Sequence, residues 1–270
     1  MTVLIPIAIF AALGVVSGAA LTAASKIFEV EEDKRITEIN DALPQANCGG
    51  CGYSGCADYA AAVVEKGAEC SLCRPGGDAT AARIAAIMGK EARDVVELTA
   101  FVRCSGDCNA TPTKYLYDGI QSCAACNMYY NGSKLCTSGC LGYGDCVNVC
   151  PTGAVRIKNS IAVVDHRLCI GCGLCATACP NKLIAIRPST QKVEVLCSSK
   201  DTAKDTKKIC PNGCVGCRLC EKNCPSEAIK VINNHAVIDY DLCTSCGTCV
   251  EVCKFGAVKA INHLGTTETL

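Results

Sequence analysis

The stretch Cys214-Val215-Gly216-Cys217-Arg218-Leu219-Cys220-Glu221-Lys222-Asn223-Cys224-Pro225 governs how the rest of the sequence is read. Its thiols follow C-x2-C-x2-C-x3-C and then Pro, the spacing that wraps a chain around an iron–sulfur core. Cys169, Cys172, Cys175 and Cys179-Pro180 repeat it, and Cys243, Cys246, Cys249 and Cys253 keep it with Lys254 in the place of Pro. In a fourth run Cys140, Cys146 and Cys150-Pro151 fit, but Tyr143 occupies the second thiol's position. One run is compatible with zinc or chance; three complete runs and one partial are not.

The runs form a duplication. Cys150 to Cys169 and Cys224 to Cys243 are both 19 positions, and the segments between them are alike. Each predicts a helical turn and then a hairpin, tipped by Asn159-Ser160 or Asn233-Asn234. A shift of 74 residues lays Cys150 on Cys224, Cys169 on Cys243 and Cys179 on Cys253, and also Cys123 on Cys197 and Cys136 on Cys210. The repeats therefore run over about 121–185 and 195–259.

In a two-cluster ferredoxin the fourth Cys of each run binds the other run's cluster. That rule groups Cys214, Cys217 and Cys220 with Cys253, Cys243, Cys246 and Cys249 with Cys224, and Cys169, Cys172 and Cys175 with Cys150. Cys140, Cys146 and Cys179 are left one ligand short, with Cys136 the nearest replacement; a three-iron cluster or a non-Cys ligand is the alternative. Cys104, Cys108, Cys123, Cys126, Cys197 and Cys210 remain. A further cluster from Cys104, Cys108, Cys123 and Cys126, or from Cys123, Cys197 and Cys210, competes with plain buried thiols.

Outside the runs, Cys48, Cys51, Cys56 and Cys73 sit among Gly and Pro in a compact module, with Cys70 spare. Zinc is compatible with this spacing. Helices are expected over 57–66 and 79–101. The 27 Cys in 270 residues are an odd number, which a complete disulfide framework cannot use. The net charge is zero, against nucleic-acid binding. Met1–Ser25 carry no charge, and about 20 apolar residues suffice to cross a bilayer. Lys26, Lys34 and Arg35 follow, which places the remainder in the cytoplasm by the positive-inside rule. A cleaved signal peptide would want basic residues before the apolar run instead.

The expected fold is α+β: a transmembrane helix (1–26), a four-Cys iron–sulfur module (30–90) and two tandem bacterial-type two-cluster ferredoxin repeats (100–190 and 191–262). Five or six [4Fe-4S] clusters are expected. No G-x-G-x-x-G follows a strand, so neither flavin nor NAD is expected on this chain, and no catalytic residue is assigned.

This order of parts resembles the B subunit of the Rnf complex. Val102-Arg103-Cys104-Ser105-Gly106, Gly139-Cys140-Leu141-Gly142-Tyr143-Gly144-Asp145-Cys146 and Val195-Leu196-Cys197-Ser198-Ser199 are similar to its longer form in anaerobic bacteria, while Lys254 and Cys126 depart from the pattern. The resemblance implies a single-pass protein of the inner membrane with its clusters on the cytoplasmic side. It would relay electrons from soluble ferredoxin to partner subunits, in a complex that reduces NAD and translocates Na+ or H+. Lys200, Lys204, Lys207 and Lys208 are a candidate ferredoxin-docking patch or simply a solvated loop. Two other hosts fit less of the sequence: the polyferredoxin of a membrane hydrogenase, and a zinc-stabilised scaffold.

Overall fold

The computed structural model describes residues 4–27, 33–91 and 95–261. It opens with α1 (Leu4–Ile27), whose described side chains, 10–24, are almost all exposed. Among the described residues no helix is long and apolar enough to cross a membrane, so the expected span is not shown.

The module is a three-helix unit of α2 (Lys34–Ala42), α3 (Cys56–Glu65) and α4 (Gly77–Met88). Asp33 caps α2 by accepting from Arg35 N. Ile39, Leu43, Tyr59, Val63 and Ile84 bury their side chains together, with Cys56, Cys70 and Cys73 in the same core. The helix expected over 79–101 stops early. Gly89, at φ 63, closes α4, and Leu98–Val102 forms strand β1 instead. A left-handed glycine ends a helix at little cost, and the apolar residues beyond it find a strand partner.

From β1 onward the chain folds as two similar halves. The first contains α5 (Cys123–Asn127), α6 (Asp145–Asn148), β2 (Val155–Lys158), β3 (Ile161–Val164), α7 (Leu174–Ala178) and β4 (Ile184–Pro188). The second contains β5 (Val193–Val195), α8 (Ala203–Ile209), α9 (Leu219–Asn223), β6 (Ile229–Ile232), β7 (His235–Ile238), α10 (Thr248–Glu251) and β8 (Val258–Ala260). The described strands make four antiparallel pairs, β1–β4, β2–β3, β5–β8 and β6–β7. Each half is thus a hairpin plus a clasp between its first and last strands. The hairpin tips are where the sequence put them. Asn159 and Ser160 (φ 50 and 60) and Asn233 and Asn234 (φ 49 and 64) make two-residue turns whose twist matches the strands.

Candidate metal centres

Each Cys run folds as a loop backed by a short helix. α9 follows Arg218 at φ 62 and carries Cys220; α10 follows Gly247 and carries Cys249. The first half matches, with Cys146 on α6 behind Gly144 and Cys175 on α7 behind Gly173. A left-handed residue at each junction turns the chain sharply, so that loop and helix share one centre. The hairpin tips close over two of these loops. A Cβ on Gly216 would lie 2.7 Å from the Asn234 carbonyl oxygen, and one on Gly142 would lie 2.6 Å from that of Ser160. Backbone amides then reach sulfur: Ala162 N donates to Cys140 Sγ and Ala236 N to Cys214 Sγ, both at 3.4 Å. Ala100 N and Leu183 N donate in the same way to Cys169 Sγ and Cys179 Sγ.

The thiols gather in fours. Cys224, Cys243, Cys246 and Cys249 line one small cavity. Cys123, Cys140, Cys146 and Cys179 line a second. Cys104, Cys136, Cys197 and Cys210 line a third. Three further groups follow from mutual electrostatics. Burial pushes the Cys175 thiol up to about 12, and Cys169, Cys172 and Cys150 add to the rise. Burial likewise raises Cys220 to about 11, reinforced by Cys214, Cys253 and Cys217. In the module burial raises Cys73, with Cys56, Cys51 and Cys48 contributing.

Desolvated thiols crowded by other thiols do not ionise unless a cation compensates them. Four soft sulfur donors facing one volume suit an iron–sulfur core. Among the described residues no three Cys, His, Asp or Glu converge on a single metal ion. Three of the fours each line a cavity instead.

The structure separates two residues that the sequence placed otherwise. Cys136 does not join Cys140, Cys146 and Cys179; it lies with Cys104, Cys197 and Cys210. Cys123 takes the fourth place. Asp145 positions it by accepting from Cys123 N (2.9 Å), Ala124 N (2.9 Å) and Ser122 Oγ (3.0 Å). Tyr143 turns away and stacks edge-on against Tyr117, 5.6 Å between ring centres. Although a 74-residue shift superposes Cys123 on Cys197, the two line different cavities. Cys70, Cys108 and Cys126 lie outside all six groups; Cys126 is fully buried against Tyr117 and Tyr143, and Cys108 is exposed.

Comparison with known proteins covers the module and the Cys runs from residue 168 onward. An Fe-S cluster family matches residues 43–75, and two 4Fe-4S dicluster domain families match 168–228 and 213–258. The chain is 43% identical, over 90% of its length and 86% of the relative's, to the B subunit of the proton-translocating ferredoxin:NAD(+) oxidoreductase complex of Clostridium ljungdahlii. It is 42% identical to the B subunit of the ion-translocating oxidoreductase complex of Methanosarcina acetivorans, over 88% of this chain and 90% of that one. Against the Na(+)-translocating counterpart of Acetobacterium woodii the identity is 40%, over 89% and 73%. The chain belongs to the family of Rnf B subunits. As a member of that family it is an iron–sulfur electron-transfer component of a ferredoxin:NAD oxidoreductase complex, carrying [4Fe-4S] clusters and working beside other subunits.

Adjacent groups also approach one another in series. Burial raises Cys172, and Cys48 of the module adds to that rise. Gly50 permits this approach, since a Cβ there would lie 2.9 Å from the Cys172 carbonyl oxygen. Burial pushes Cys146 up to about 12, with Cys175 of the neighbouring group among the contributors. Cys140 N donates to Cys104 Sγ at 3.4 Å. Burial raises Cys197, an effect that the backbone N–H of Cys214 opposes by acting on its sulfur, and burial pushes Cys249 up to about 12, with Cys220 contributing.

Proposed function

We propose that this member of the Rnf family is one continuous wire of six [4Fe-4S] centres, each held by one of the four-thiol groups. The observation that carries this reading is the serial order of the groups: Gly50 lies against Cys172, Cys140 N donates to Cys104 Sγ, and Cys175 bears electrostatically on Cys146, Cys214 on Cys197 and Cys220 on Cys249. When bound, the clusters supply reversible one-electron transfer. The chain's own residues do the rest: loops fix the order, backbone N–H groups donate to the sulfurs, and small apolar side chains exclude water.

The donor in this reading is reduced ferredoxin, and the acceptors are partner subunits of a complex that reduces NAD and moves Na+ or H+. α1 anchors the protein with the clusters on the cytoplasmic side. Its exposed Phe10, Leu13, Val15, Val16 and Leu21 support that placement. So do Ser17 and Thr22, whose hydroxyls donate back to the carbonyls of Leu13 and Gly18, as in a helix surrounded by lipid. Exposed Lys204, Lys207 and Lys208 on α8, with Lys200 before it, supply the basic face for an acidic ferredoxin.

Rapid mixing of the anaerobic chain with reduced ferredoxin tests the wire. In the wild type every cluster is reduced, whereas Cys136→Ser interrupts the path and leaves the 48–73 module oxidised on the same timescale. Equal reduction of that module in both proteins refutes a continuous path through the Cys136 group.

A further inference from the structure

Where the two halves meet, Arg187 on β4 and Glu194 on β5 form a buried ion pair, 3.0 Å apart and only 3% and 2% exposed. Strand alternation sends them there. In β1 and β4, Ala100 and Ile186 face the thiols of the first half, so Phe101 and Arg187 face the other way. The guanidinium lies between two rings, 3.5 Å from the centre of Phe101 and 4.4 Å from that of Tyr240. Tyr240 Oη donates to Glu194 Oε1 at 2.8 Å, Val195 N donates to the same oxygen, and Arg187 Nη1 donates to Val193 O. Nη2 of Arg187 meets Glu194 Oε2 at 3.0 Å as an ion pair without hydrogen-bond geometry, and Nε has no hydrogen-bond partner.

The pair is tied directly to one cysteine loop. Gln191, between Arg187 and Glu194 in sequence, donates from Nε2 to the carbonyls of Tyr240 (3.1 Å) and Cys243 (3.4 Å). Ser245 Oγ donates to Gln191 Oε1 at 2.9 Å. The segment that carries both charges is thereby fastened across the Cys243–Cys246 loop. Burial lowers the Arg187 pKa, which Glu194, Tyr240 and Cys243 only partly offset, and burial raises that of Glu194. Other charges nearby are Lys259, paired with Glu194 in the β5–β8 ladder, and Arg103, whose charge also acts on Glu194.

We propose that Arg187 and Glu194 are an opposed pair of fixed charges that sets the reduction potential of the cluster held by Cys224, Cys243, Cys246 and Cys249. The proposal rests on the reading of that group as a cluster site. A buried ion pair is a poor source of stability, because desolvation offsets its attraction and an apolar pair of similar volume often does as well. What an apolar pair cannot supply is a field. Adding an electron adds negative charge at the cluster, so the guanidinium favours reduction and the carboxylate opposes it.

Redox titration of the full chain by EPR, with iron content measured on every variant, tests this. Cys246→Ser first marks the component that belongs to this cluster. In Arg187→Gln that component moves to more negative potential, in Glu194→Gln to more positive potential, and in the double variant it falls between the two. Arg187→Lys keeps the charge and stays near the wild type even if the protein melts earlier. A purely structural role moves both single variants the same way, or neither, and either result at wild-type iron content overturns the proposal. Should Arg187→Gln lose iron, Glu194→Gln still decides it, since an unchanged or more negative potential there also overturns it. If Cys246→Ser alters no component, the cluster reading fails, and the proposal with it.

Discussion

At the residue scale, Cys123 is the least obvious ligand candidate. Tyr143 holds the place where the spacing wants a thiol, and the nearest Cys in sequence, Cys136, lies in another cavity. Cys123 is delivered from about twenty residues upstream because Asp145 gathers the amides at the start of α5. Cys123→Ser is therefore expected to lose about four iron atoms, one [4Fe-4S] cluster, and Cys126→Ser none; iron analysis on anaerobic protein decides between them. Asp145→Ala removes this cap. It should cost about 1–2 kcal/mol, read as a lower thermal midpoint, and make the same cluster the first to be lost.

At the scale of elements, the halves are built from pieces too small to stand alone. Strands of three to five residues in two-stranded pairs, with helices of four to seven, have little core of their own. The thiol groups must supply the missing interior. Removing iron with a chelator should collapse the far-UV CD of 98–261 while the three-helix module, with Ile39, Tyr59, Val63 and Ile84 packed together, keeps part of its helix signal. The hairpin tips set a second constraint. Gly216→Ala forces a Cβ against Asn234 at a left-handed φ, and a loss of about 1–3 kcal/mol is expected, measured as a drop in melting temperature.

The same scale shows what the sequence could reveal. Three Cys runs were legible because local spacing alone shapes a loop around a core. The hairpins were legible because Asn159-Ser160 and Asn233-Asn234 favour positive φ. Two features needed contacts distant in sequence. The group of Cys104, Cys136, Cys197 and Cys210 draws from both halves, so no spacing rule contains it, and the strand after Gly89 exists only because β4 is there to pair with it. The buried Arg187–Glu194 pair was equally hidden, since a charged residue in a strand reads as solvent-facing until its partners are known.

At the scale of the whole molecule, the proposed wire runs through six groups from the module that follows α1 to the far end of the second half. Two outer properties follow from it. Charge reversal of Lys204, Lys207 and Lys208 to Glu should slow electron transfer from ferredoxin at low salt and flatten its salt dependence, as steered association requires. Deleting residues 4–27 should abolish flotation with lipid vesicles and leave iron content unchanged. The central claim is the count of centres, and quantitative iron and acid-labile sulfide on anaerobically purified protein, with Cys197→Ser alongside, tests it most directly. Six centres predict about 24 of each per chain in the wild type and about 20 in Cys197→Ser. A wild-type value of about 20 that Cys197→Ser leaves unchanged would contradict it.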